Sequence, residues 1–76
     1  NDRIRRGKVV ERLIADGRKD REIVDELFLR VFGRAPRTEE VAAVTRSLAA
    51  DPANRQAVLE DLFWALMNSK EFYFNH

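Results

Sequence analysis

The sequence predicts an all-α fold: a small four-helix domain, orthogonal or bundle-like, with a short aromatic turn at its C-terminus. Three observations lead there. Apolar residues recur at three- and four-residue spacing along nearly the whole chain. Glycine, proline and small capping residues fall between those stretches. No segment alternates apolar and polar residues as a half-buried strand would.

The first helix carries Val9, Val10, Leu13 and Ile14 on one face and stops at Gly17. Ile4 lies off that stripe and Gly7 weakens a helical turn, so the start is expected near Gly7, with residues 1–7 as a disordered arm. Asp20 is the expected N-cap of the second helix, whose stripe is Ile23, Val24, Leu27, Phe28 and Val31. Gly33 and Pro36 mark its end.

Thr38 is the expected cap of the third helix, with Glu39 and Glu40 set favourably against the positive end of its dipole. Val41, Val44 and Leu48 form a thin stripe padded by Ala42, Ala43 and Ala49, so this helix packs close to bulkier neighbours. Asp51-Pro52 closes it and opens the fourth, Asp as N-cap and Pro where a missing N–H costs nothing. That helix presents Val58, Leu59, Leu62, Phe63, Ala65 and Leu66 on one face. Asn68-Ser69 is expected to break it, with Ser69 capping a last turn of Phe72, Tyr73 and Phe74 folded back on the helices.

Seventy-six residues make a single domain, and a chain of this size buries only about 60% of its unfolded surface. Hydrophobic residues at 45% suffice for a core, and charged residues at 36% keep its outside wet. With no cysteine, disulfides, thiolate catalysis and cysteine-ligated zinc are excluded together. The longest apolar run, Leu62 to Met67, is far too short to span a bilayer. The opening Asn-Asp-Arg-Ile, without Met, is expected of a fragment or processed piece.

Charge is unevenly spread around the net +1. Residues 1–21 hold eight basic side chains against four acidic ones, a local +4 that leaves −3 for the rest. Such a segment is either a solvated helix face or a patch for an acidic partner. Duplex DNA is a poor fit: residues 33–38 are long for a helix-turn-helix link, and Glu39 and Glu40 would meet phosphates at the supposed recognition helix.

No catalytic, cofactor or metal site is expected. The one histidine, His76, is the final residue, and Ser47 and Ser69 have no base nearby in sequence. Asp16 and Asp20 flank Gly17 without the spacing or distal Glu of a calcium loop. The candidate interface residues are Leu29 and Trp64. At about 100° per residue each points away from its helix's core stripe. Two readings stand: the pair packs at the rim of the bundle, or it meets something outside this chain.

Two stretches carry a family resemblance. Leu59-Glu-Asp-Leu-Phe-Trp-Ala-Leu-Met-Asn-Ser-Lys-Glu-Phe-Tyr-Phe-Asn-His76 resembles the extreme C-terminus of a planctomycete-specific domain of unknown function, which closes with a similar Asp-Leu-x-Trp-Ala-Leu-x-Asn-Ser-Lys-Glu-Phe segment. Asp25-Glu-Leu-Phe-Leu-Arg-Val-Phe-Gly-Arg-Ala-Pro-Arg-Thr-Glu-Glu40 is similar to its preceding helix, Arg-x-Pro turn and Thr-Glu-Glu helix start. The likeness spans residues 20–76, with Met67 and Tyr73 where that family more often has Leu.

The resemblance implies the C-terminal helical part of a larger exported protein, periplasmic or on the cell surface. Members often carry a cytochrome c-like domain near the N-terminus. Haem attachment needs Cys-x-x-Cys-His, so any such chemistry would lie elsewhere in the parent. The implied partner is the rest of the parent protein or another protein, and the family supplies no catalytic residues. At the matching positions, Arg34 and Arg37 are expected either to bond the last carbonyls of the second helix or to pair with Glu39 or Glu40. The chain is thus expected to be a non-catalytic structural or interaction module, the alternative being a small basic nucleic-acid-binding domain.

Overall fold

The computed structural model describes the backbone of residues 2–74 and the side chains of residues 7–69. Four helices follow in order: α1 (Asp2–Ala15), α2 (Asp20–Phe32), α3 (Thr38–Ala50) and α4 (Arg55–Phe74). The all-α expectation holds, with no strand among the described residues. The Cα radius of gyration, 12.0 Å, is near the roughly 11 Å of a compact chain this long.

Each junction has a local cause. Gly17 adopts the left-handed conformation at φ +77°. Its N–H reaches the Ile14 carbonyl at 3.0 Å while the Arg18 N–H reaches Leu13 at 3.4 Å, the paired bonds of a Schellman ending. Gly33, at φ +69°, closes α2 with one bond to the Leu29 carbonyl at 3.0 Å. Between α3 and α4, Pro52–Asn54 forms one turn of 3-10 helix, and the Asn54 amide donates to the Asp51 carboxylate at 3.0 Å.

The starts of α2 and α3 differ from expectation by one residue, and α4 begins at Arg55, behind the 3-10 turn that Pro52 opens in place of the expected helix start. The N-caps are Lys19 and Arg37, and Asp20 and Thr38 are already helical. Lysine and arginine side chains offer no acceptor, so the stabilising bonds run the other way. Glu22 accepts the Lys19 N–H at 2.9 Å, and Glu40 accepts the Arg37 N–H at 2.7 Å. Both carboxylates sit three residues past the cap, supplying one half of a capping box. Asp20, released from capping, has its carboxylate available for a tertiary partner.

Three further expectations need correcting. Helix α1 starts at Asp2 and continues through Gly7, where a disordered arm was expected. The helical penalty of one glycine is about 1 kcal/mol, too small to stop a helix packed on a neighbour. Here the Glu60 carboxyl of α4 lies 3.7 Å from where a Gly7 Cβ would stand. Nor does Asn68-Ser69 break α4, which runs unbroken to Phe74. The Asn68 side-chain amide bonds back to the Trp64 carbonyl at 2.8 Å, a contact compatible with continuing helix. Lastly, Ala65 is exposed, because α4 buries a narrower stripe than its apolar residues suggested. The expected folding back of the Phe72, Tyr73 and Phe74 side chains lies outside the described residues.

The core joins Val10 and Leu13 of α1, the whole predicted stripe of α2, Val44 of α3, and Leu59, Phe63 and Leu66 of α4. Helix α4 is the hub. It contacts each of the other three, α1 most extensively; α2 also meets all of them, less extensively, and among the described residues α1 and α3 make no close approach. Helix α3 is the outlier, with Val44 its one buried side chain at 9% exposure.

Candidate interaction surface

Leu29 and Trp64 are the exposed large hydrophobic residues among those described, at 50% and 49% of their full accessibility. Each immediately follows a buried aromatic, Phe28 on α2 and Phe63 on α4. One step along a helix rotates the next side chain about 100°, so burying Phe28 and Phe63 swings Leu29 and Trp64 outward. The two stand on different helices.

Of the grooves on the described surface, two open ones stand out, and neither of these is lined by Leu29 or Trp64. The larger, about 740 Å³, lies between α1 and α2. Basic Lys8, Arg12, Arg18 and Arg30 alternate there with acidic Glu11, Asp16 and Glu26 over a Leu13 floor. The interleaved signs give no single-signed field with which to gather an ion. The smaller, about 390 Å³, runs between α2 and α3 and is walled by Val24, Val41, Val44 and Leu48. No group of three or more His, Asp or Glu side chains suited to hold a metal ion occurs among the described residues. No described helix is long and apolar enough to cross a membrane.

The most organised polar cluster is the α2–α3 turn. Arg34 donates two bonds to Glu40, Nη1 to Oε1 at 2.9 Å and Nη2 to Oε2 at 3.2 Å, and a third to the Ala35 carbonyl at 3.0 Å. Its guanidinium also lies over two rings, 5.8 Å from the centre of Phe28 and 5.2 Å from that of Phe32. Those rings meet at 51° with centroids 5.9 Å apart. Hydrogen bonding to Glu40 raises the Arg34 pKa above its ordinary value. The bonds from Arg34, then the Arg37 N–H, hold the Glu40 carboxyl below its own. Of the partners the sequence left open for Arg34, the structure selects Glu40.

Sequence reasoning missed a second tie. Arg55, at the start of α4, pairs through Nε with Asp20 at the start of α2, and its Nη2 donates to the Arg18 carbonyl at 3.2 Å. It thus binds the α1–α2 turn to the hub helix. The partners lie 35 residues apart in sequence, so no helical periodicity or local motif signals them.

No family model matches the chain, and no curated protein or solved structure matches it.

Proposed function

We propose that this domain is a non-catalytic interaction module that closes a larger exported protein, docking on the rest of that protein or on a protein partner through Leu29 and Trp64. The observation that carries the reading is the half-exposure of two large apolar side chains beside a well-filled core. Covering the exposed half of an indole removes about 100 Å² from water, which is worth about 2.5 kcal/mol. An aromatic anchor of that size is typical of the residues that dominate interfaces. The exported setting, periplasmic or cell-surface, and the place at the end of a longer chain rest on the planctomycete-domain resemblance of residues 20–76.

Nucleic-acid binding is the reading not adopted. Arg34 is engaged by Glu40, and the α3 N-terminus presents Glu39 and Glu40. A salt-sensitive mobility shift with duplex DNA would favour it over the docking reading.

The test is the double replacement Leu29→Gln with Trp64→Gln. Thermal melts of the isolated chain are expected to stay within a few degrees of wild type. Calorimetric titration against the remainder of the parent protein is expected to lose its binding heat. A variant that unfolds would show the two side chains to be core, and undiminished binding would show that docking uses another face.

A further inference from the structure

Helix α3 is built differently from the other three. It sends one side chain, Val44, into the core, against five from α2. Val41 and Leu48 are only half-buried, and they face Val24 across the open groove of about 390 Å³ without filling it. Apolar walls separated by a gap forgo most of their dispersion contact. Of the buried core, detaching α3 would uncover Val44 and Val24, far less than global unfolding exposes, while the helix regains conformational freedom.

The connections suit such a motion. Residues 33–37 join α2 to α3 without regular structure and begin at the left-handed Gly33. Across this turn runs the Arg34–Glu40 pair, and its two ends are held unequally. Arg34 lies over Phe28, which is 2% exposed, and so belongs to the fixed part. Glu40 sits in the first turn of α3 and would travel with it. At the far end, Asp51 and Asn54 bond each other locally, in a tie that need not break when α3 swings.

We propose that α3 is a hinged flap over the faces of α2 and α4 that it covers, latched by Arg34 and Glu40, which opens as a unit while α1, α2 and α4 stay packed on one another. The open state presents Val24, Val41, Val44 and Leu48 to the surroundings. This inference does not depend on docking through Leu29 and Trp64.

Native-state amide hydrogen exchange on the 76-residue chain at low denaturant tests it, with wild type and Glu40→Gln compared. A detached 13-residue helix is only marginally stable in water and melts, so in wild type the Val44 to Leu48 amides should exchange through an opening at least roughly ten-fold more frequent than the one exposing the Leu27 and Leu59 amides. Its denaturant sensitivity should be above zero but below that of global unfolding. Glutamine keeps the acceptor for the Arg37 N–H while losing the charge that holds Arg34. Glu40→Gln should therefore speed α3 exchange by about three-fold and leave the α2 and α4 cores unchanged. One shared opening for all three helices in wild type would overturn the proposal, whatever the variant does. Equal acceleration of all helices in the variant would overturn the latch.

Discussion

Replacing Leu59 with alanine is the sharpest probe of the architecture. Leu59 is 0% exposed and lies in the core of α4, the helix most extensively packed against the others. The change deletes three carbons from that centre, at about 0.8 kcal/mol each for lost burial. The surrounding helices are held together around this side chain, so collapse is incomplete and a cavity term brings the total to about 3–4 kcal/mol. A chain of this length has roughly 4–11 kcal/mol in all. The variant should remain mostly folded in the cold and melt roughly 12–30 °C lower. Val44→Ala supplies the contrast. It removes two carbons from the rim of an open groove, about 1.6 kcal/mol of burial, leaves no closed cavity, and gains a few tenths of a kcal/mol in helix propensity, for a net cost of about 1–1.3 kcal/mol. Urea titrations followed by circular dichroism at 222 nm, analysed with a shared m-value, give both numbers. If Leu59→Ala costs no more than Val44→Ala, then α4 is not the hub and the packing argument fails.

Other perturbations separate local from tertiary effects. Gly7→Ala should stabilise by about 0.5–1 kcal/mol, since the new Cβ meets Glu60 at ordinary contact distance and the helical penalty of glycine is removed; a lower melting temperature would mean that α1 and α4 cannot give way. Gly33→Ala, at φ +69°, should instead cost about 1 kcal/mol in the same melt. Because the Glu40 pKa is lowered on folding, its contribution is fully present above its ordinary value of 4.5 and is lost as pH falls through the lower folded value. An acid titration of stability should show that limb in wild type and a flatter one in Glu40→Gln. Arg55→Met should lower stability by about 1 kcal/mol in dilute buffer, with a smaller difference in molar salt, and equal losses at both salts would mean that Arg55 acts through packing alone.

Much of this fold was legible in the residues, and the failures share a cause. The α2 stripe was read correctly in full because five large apolar residues at helical spacing admit one buried face. Gly17 and Gly33 were read correctly because a left-handed helix end strongly favours glycine. The caps were misplaced by one residue because Asp20 and Thr38 have strong capping propensity, whereas the operative acceptors are Glu22 and Glu40 reaching back. The continuation of α1 through Gly7 depends on α4, which no local rule consults. At Asn68 the side chain had two uses open to it, a helix stop or a bond to the preceding turn, and only the structure chooses. The outward positions of Leu29 and Trp64 were legible from periodicity alone. The Arg34 platform and the Asp20–Arg55 tie were not, since each joins residues across a turn or between helices.

The placement of Leu29 and Trp64 bears on whether they suit docking. An anchor on a flexible loop must be ordered as it binds, at a cost of about 0.5–1.5 kcal/mol for each immobilised side chain. Here the backbone beneath each anchor is already fixed, because the preceding residue is an aromatic locked in the core. Leucine and tryptophan also have few rotatable bonds, so little freedom remains to be lost. Helix α3 offers the opposite combination, with sound local caps and a thin grip on the core. On the two proposals together, the domain pairs a three-helix platform bearing Leu29 and Trp64 with one helix that moves without disturbing them. Truncating Val44 should loosen α3 and leave the presentation of Leu29 and Trp64 intact, whereas truncating Phe63 should disturb both the fold and the surface at once.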